Sequence, residues 1–189
     1  VFIAALDTNT LWPSVRRDFL LSLAVDGLYR PAWSERTLEE LEYCERHKLS
    51  ARGETDEEAA QRARFLIARM RDAFDDAVVS ESRTRAVAPA GLPDPDDEHV
   101  LAAAFAAGAE VIVTENHRDF PPDRLPPGIV TIGPADFARD TVSVDPSRAL
   151  TATLAMARRR SDTPLEEILG QLETTYFMTE ACALLRDAL

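Results

Sequence analysis

The chain has 189 residues, 46% of them hydrophobic, and 33 Asp and Glu against 21 Lys and Arg give a formal net charge of −12. That length and composition suit one main domain with its own core and a small appendage, while the apolar runs, such as Phe2 to Leu6 and Val111 to Val113, are too short to span a bilayer. With no signal-peptide pattern the expected location is the cytoplasm, and Cys44 and Cys182, far apart and outside any CxxC spacing, argue against a disulfide framework or a zinc site.

Phe2 to Leu6 is a continuous apolar run ending in Asp7, the pattern of a buried strand of a parallel sheet with a polar residue at its carboxyl end. After Thr8-Asn9-Thr10, the apolar positions Leu11, Val15, Phe19, Leu20, Leu23 and Ala24 recur at helical spacing until Asp26-Gly27. Leu28 to Trp33 reads as a second strand, which Pro31 places at an edge or a bulge. Ser34 caps a helix with Leu38 and Leu41 facing inward, and Gly53 breaks it. Thr55 or Asp56 caps the next helix, whose stripe of Ala59, Ala63, Leu66, Ile67 and Met70 opposes an Arg-rich face, ending near Phe74.

Ala77 to Val79 is a short strand candidate, and Ala88 to Pro95, with three prolines and a glycine, is a loop. Val100 to Phe105 marks a helix stopped by Gly108. Glu110 to Thr114 is the second clear buried strand, and Ile129 to Ile132 a further one, followed by a short helix from Pro134. Strands alternating with helices predict a parallel α/β sheet, in which ligands bind outside the carboxyl ends of the strands. Beyond Asp140 the strand signal stops, and 146–157, 164–172 and 179–189 read as helices. The predicted division is therefore a main domain over 1–140 and a helical appendage over 141–189.

Both clear strands end in polar clusters. A carboxylate at a strand tip is held by rigid backbone while facing a crevice, which suits Asp7 to metal ligation; capping the next helix is its commoner use. Asp94-Pro95-Asp96-Asp97-Glu98 crowds acids at a helix start beyond what the macrodipole favours, a repulsion that a cation relieves. Thr114-Glu115-Asn116-His117-Arg118-Asp119 offers oxygen donors of the kind hard divalent ions prefer, with Asn116 and Asp119 ahead of His117. Such a cation site also accounts for the acidity, since bound metal reverses the field that a phosphate meets. Among the cations Lys48 is the only lysine, and Arg suits phosphate through its planar fork. Glu39, Glu40 and Glu42 on position alone read as an exposed helix face.

Four segments in order, LDTNTL ending at Leu11, the Ser-x-x-Thr-Leu-x-Glu-Leu helix start at Ser34 to Leu41, DPDDEHVLAAA from Asp94, and VIVTENHRDFP from Val111, resemble the PIN-domain ribonucleases. The resemblance is closest to toxins of VapC type from bacterial toxin–antitoxin pairs and covers Val1 to Asp140. It implies a three-layer fold with a central parallel sheet flanked by helices, and catalytic acids at Asp7, Glu40, Asp97 and Asp119. It further implies a Mg²⁺ or Mn²⁺ site formed by Asp7, Asp97, Asn116 and Asp119, with Thr8, Asn9 and Thr114 orienting the acids through hydrogen bonds. Where the family's last motif often carries Thr-x-Asp, this chain has Asn116, with Asp119 three residues on, so either completes the site. The implied activity is metal-assisted hydrolysis of RNA phosphodiesters around one or two ions, with a cognate antitoxin as partner and a homodimer among the roles open to the tail. Two other readings compete. An aspartyl-phosphate phosphatase or phosphotransferase also begins at a strand-tip Asp, but usually has a second Asp where Asn9 stands. A non-catalytic acidic module that binds a basic partner is the other.

Overall fold

The computed structural model describes residues 1–189. Five strands, β1 (Ile3–Leu6), β2 (Arg30–Ser34), β3 (Val78–Val79), β4 (Val111–Val113) and β5 (Val130–Ile132), form one sheet in the order β3-β2-β1-β4-β5. Every pairing is parallel. Ten helices surround it: α1 (Thr8–Leu11), α2 (Ser14–Val25), α3 (Glu35–Ala51), α4 (Asp56–Ala73), α5 (Glu81–Arg85), α6 (Glu98–Ala107), α7 (Pro134–Val144), α8 (Pro146–Arg159), α9 (Leu165–Tyr176) and α10 (Thr179–Asp187).

Strand alternation divides the apolar residues between two layers. Ala4 and Leu6 of β1 and Val113 of β4 face the larger core, which also holds Phe19, Leu20 and Leu23 of α2, while Ala5 and Ile112 face a smaller core under Val100, Leu101 and Ala104 of α6. A sheet covered on both faces needs strands that are apolar throughout, and IAAL and VIV are of that kind.

Several helix ends follow from the sequence. Ser34 accepts from the Thr37 N–H at the start of α3, and Thr55 and Glu58 form a reciprocal capping box on α4. Gly108 ends α6 at φ 72°, a left-handed turn that suits glycine. The first predicted helix is two: α1 begins at Thr8, and α2 starts after Pro13, whose extended ψ of 117° breaks the run. Pro31 is not at a sheet edge, because β2 lies between β1 and β3. It is tolerated because β3 pairs only with Trp33 and Ser34, so at Pro31 the strand has β1 as its one neighbour. The short helix α5 falls where the sequence showed no periodicity.

Beyond β5, α7 runs through the predicted boundary at 140, and its Phe137 and Val142 share the large core with Leu150 of α8, Ile168 and Leu172 of α9 and Cys182 of α10. Leu169 is buried with them, whereas Phe177 is 80% exposed. Both cysteines are free, and no helix is long and apolar enough to cross a membrane.

The strand order carries the functional consequence. From β1 the chain moves outward through β2 and β3, then returns to lay β4 and β5 on the other side. The carboxyl ends of β1 and β4 therefore flank a switch point, where a crevice opens above the sheet.

Candidate active site

Asp7 follows the last residue of β1 and is 5% exposed. Its backbone N–H continues the ladder to the Val113 carbonyl, 3.2 Å away, so the residue leaves the sheet in fixed register with β4. Its Oδ2 accepts from Asn9 Nδ2 at 2.6 Å and from the Thr114 hydroxyl at 2.7 Å. Asn9 Nδ2 also donates to Thr114 Oγ1 at 3.0 Å, and Asn9 Oδ1 accepts from the Glu115 N–H at 3.1 Å, which knots the two strand ends across the switch point. Arg16, 5% exposed, steadies the same turn by donating to the carbonyls of Asn9 and Thr10 and pairing with Glu115. Burial raises the Asp7 pKa above the ordinary carboxylate value, while the Thr114 hydrogen bond opposes that rise.

Asp97 ends a short 3-10 turn, Pro95–Asp97, which leads into α6. One of its oxygens, Oδ2, is buried and has no hydrogen-bond partner. Burial, followed by the charges of Asp7, Asp119 and Asp94, pushes its pKa up to about 7. Asp94, Asp97 and Asp119 each place a carboxylate oxygen within 4.8 Å of the others. Three acids this close, with an orphaned oxygen among them, have the donor set and the unmet charge of a divalent cation site.

Asp119 sits on a second 3-10 turn, His117–Asp119, and its Oδ2 accepts from the Asn116 side-chain amide. Asn116 and Asp119, alternatives for the last ligand by sequence, are thus bonded to each other. Asp119 joins Asp94 and Asp97 in the carboxylate cluster, and the Asn116 side-chain amide donates to it. Its backbone N–H donates to Thr114 Oγ1 at 3.0 Å.

Glu40, one turn into α3, lies beside this group. Its Oε2 accepts from the Thr8 hydroxyl at 2.7 Å; its Oε1 accepts from Arg36 Nε at 3.0 Å and stands 3.2 Å from His99 Nε2. Burial works to raise its pKa, but the hydrogen bonds from His99 and Thr8, the His99 charge and Arg36 outweigh it and bring the value to about 2. Because an ionised carboxylate only accepts, His99 Nε2 is the donor on the Glu40 side, and its Nδ1 lies 2.7 Å from Ser34 Oγ. Thr8, Asn9 and Thr114 therefore each donate to an acid, Thr8 to Glu40 and the other two to Asp7.

The sequence passed over two participants. Asp94 belongs to the acidic run but not to the acids that the resemblance implies, yet the 3-10 turn folds it back onto the cluster; Asp96 points away to Arg36, 2.8 Å distant. His99, two residues after Asp97, had its signal in the same DPDDEHV run. His117 is exposed and bonds to Thr131 Oγ1 at 3.1 Å, apart from the acids. On the Glu40 side a cavity of about 600 Å³ is bordered by Ser34, Arg36, Arg85, Glu98 and His99, enough room for a nucleotide-sized group.

Residues 4–118 match the family model described as PIN domain. Over 69 residues the chain is 41% identical to the Mycobacterium tuberculosis protein named "Putative ribonuclease VapC50", a match that takes in 36% of this chain and 41% of that relative. No solved structure matches the chain.

Proposed function

Because the chain belongs to the PIN domain family, we propose that it is a metal-dependent endoribonuclease of VapC type, the toxin of a toxin–antitoxin pair. The observation that carries this reading is the buried, unpartnered Oδ2 of Asp97 among the carboxylates of Asp94, Asp97 and Asp119 at the sheet's switch point. The name of its Mycobacterium tuberculosis relative supports RNA as the substrate.

Asp97 and Asp119 would hold a Mg²⁺ or Mn²⁺ ion, with Asp94 and Asp7 contributing charge. When bound, such an ion polarises the scissile phosphate, acidifies water and stabilises charge on the leaving oxygen. The chain's own residues keep the acids in place. Asn9 and Thr114 hold the Asp7 carboxylate rigid through its Oδ2. Glu40 stays ionised down to about pH 2, and Thr8, Arg36 and His99 engage both its oxygens, so it orients the crevice by charge and is a poor proton acceptor. Asn116 fixes Asp119 through its amide. The antitoxin would cover the acidic crevice with a basic segment.

Labelled RNA incubated with the protein and Mn²⁺, then sequenced at the fragment ends, tests the reading. We expect cleavage that a chelator stops and that Asp7→Asn and Asp97→Asn abolish. Cleavage persisting in the chelator, or undiminished in Asp97→Asn, rules the reading out. The aspartyl-phosphate alternative has less support, because Asn9 is bonded to Asp7 and the sole lysine, Lys48, pairs with Glu45 within α3.

A further inference from the structure

In a chain with 33 acidic residues against 21 basic ones, one groove has the opposite balance. It lies between α2, α4 and α8 and encloses about 390 Å³. Arg17, Arg69, Arg159 and Arg160 line it, and Asp18 is its one acid. Arg69 makes no ion pair, and Arg159 donates to the Ser22 hydroxyl at 2.7 Å with no carboxylate beside it. Arg160 is held by Asp18.

Arg17 is the unusual member. It is 5% exposed, its Nη1 donates to the carbonyls of Leu11 and Trp12, and its Nε is buried with no hydrogen-bond partner. The nearest carboxylate oxygen to that Nε is Asp18 Oδ1, 3.7 Å away, too far for a hydrogen bond. A buried guanidinium with an unmet donor destabilises a fold, so its retention calls for a compensating role. Its charge is shared with Glu45, whose Oε2 lies 3.8 Å from Nη1, so the groove's free positive charge is that of Arg69 and Arg159. An anion that engages Arg160 would release Asp18 to close on Arg17 Nε, satisfying the orphan. Apart from Ser22, the rest of the lining is apolar and includes Leu66, Met70 and Met156.

A cationic rim over an apolar floor matches a ligand with a phosphate at one side and a flat apolar face at the other. We propose that this groove seats a nucleotide of an RNA strand, its phosphate on Arg69, Arg159 and Arg160 and its base against Leu66 and Met156, away from the scissile bond. The inference rests on the reading of RNA as substrate. Arg17 links the groove to the C-terminal end of α1, the helix that follows Asp7, through the Leu11 and Trp12 carbonyls. It also explains how so acidic a chain attracts a polyanion, since charge segregated onto one groove steers a ligand that the net charge would repel.

The test measures binding of a labelled single-stranded RNA to the full chain in chelator across a salt series, with Mn²⁺-dependent cleavage of the same RNA followed in parallel. Arg69 and Arg159 are exposed, so R69A/R159A alters the rim without opening the core, and R69K/R159K keeps its charge. The alanine pair should weaken binding about tenfold and reduce the log–log salt slope by about 1.4, the share of two single-strand phosphate contacts; the lysine pair should retain most of the slope. Unchanged affinity and slope in the alanine pair, while the wild type still cleaves RNA, overturns this inference alone and leaves the groove to an acidic segment of a protein partner. A nucleoside monophosphate that displaces the RNA at equal concentration overturns it in favour of a small-molecule site. Neither binding nor cleavage by the wild type removes the RNA reading and this inference together.

Discussion

At the scale of single residues, Asp97 is the side chain whose chemistry depends most on its neighbours. Its folded pKa of about 7 against an ordinary 3.8 means that in the metal-free protein the native state keeps a proton that the unfolded chain has released. Below about pH 4 both states are protonated and the difference vanishes. As pH rises from there to about 7, Asp97 costs the native state stability, and above that range the loss is complete. Chelated protein should therefore show a melting temperature that falls across this window, a fall that Asp97→Asn flattens and Mn²⁺ reverses. A pH-independent difference between wild type and Asp97→Asn would contradict this assignment. Thr114→Val removes the hydroxyl that Asp7 accepts from and should lower cleavage about 10- to 100-fold with the fold intact, as loss of a group that orients a ligand does. A steady-state assay beside a circular-dichroism melt separates that from unfolding. Asp7 and Asp97 were legible as candidate ligands because each stands at a predicted element boundary. Asp94 and His99 were not, because their place depends on a 3-10 turn and on which way α6 faces, neither of which has a sequence period.

At the scale of elements, the boundaries read best where a local chemical device makes them. Thr55 was one of two residues expected to cap α4, and it forms the capping box with Glu58. Thr55→Ala should destabilise the protein by about 1 kcal/mol, a drop in melting temperature of about 2–4 °C for a chain of this size. Cleavage by that variant should be unchanged, since Thr55 bonds to no group in the crevice. Pro13 had the opposite fate. The apolar spacing ran through it as one helix, but its ring and missing N–H divide the run, and the short α1 brings Thr8 to Glu40. Period alone does not register such a break.

At the scale of the whole molecule, α7 to α10 are part of the largest core, with Leu169 and Leu172 fully buried. We propose that residues 141–189 act as a helical appendage to the 1–140 unit, packed on it rather than tethered to it. Leu169→Ala should cost about 2–5 kcal/mol within a single cooperative transition monitored by denaturant titration. Two separated transitions, the first without effect on cleavage, would show an independent tail. A chain truncated after Val144 should lose solubility, because it would uncover the face of α2 that α8 and α9 protect.

The sequence by itself determined the α/β class and marked Asp7, Asp97 and Asp119 as candidate ligands, because hydrophobic period and strand-end polarity are local properties, whereas Glu40 entered only through the family resemblance. Only the tertiary structure decided the strand order that makes β1 and β4 flank a switch point, the joining of Asp94 to Asp97 and Asp119, and the pairing of Asn116 with Asp119. It likewise gathered Arg17 of α2, Arg69 of α4 and Arg159 and Arg160 at the end of α8 onto one groove in an acidic chain. These are contacts between segments distant in sequence, set by which faces pack together, and no spacing along the chain records them.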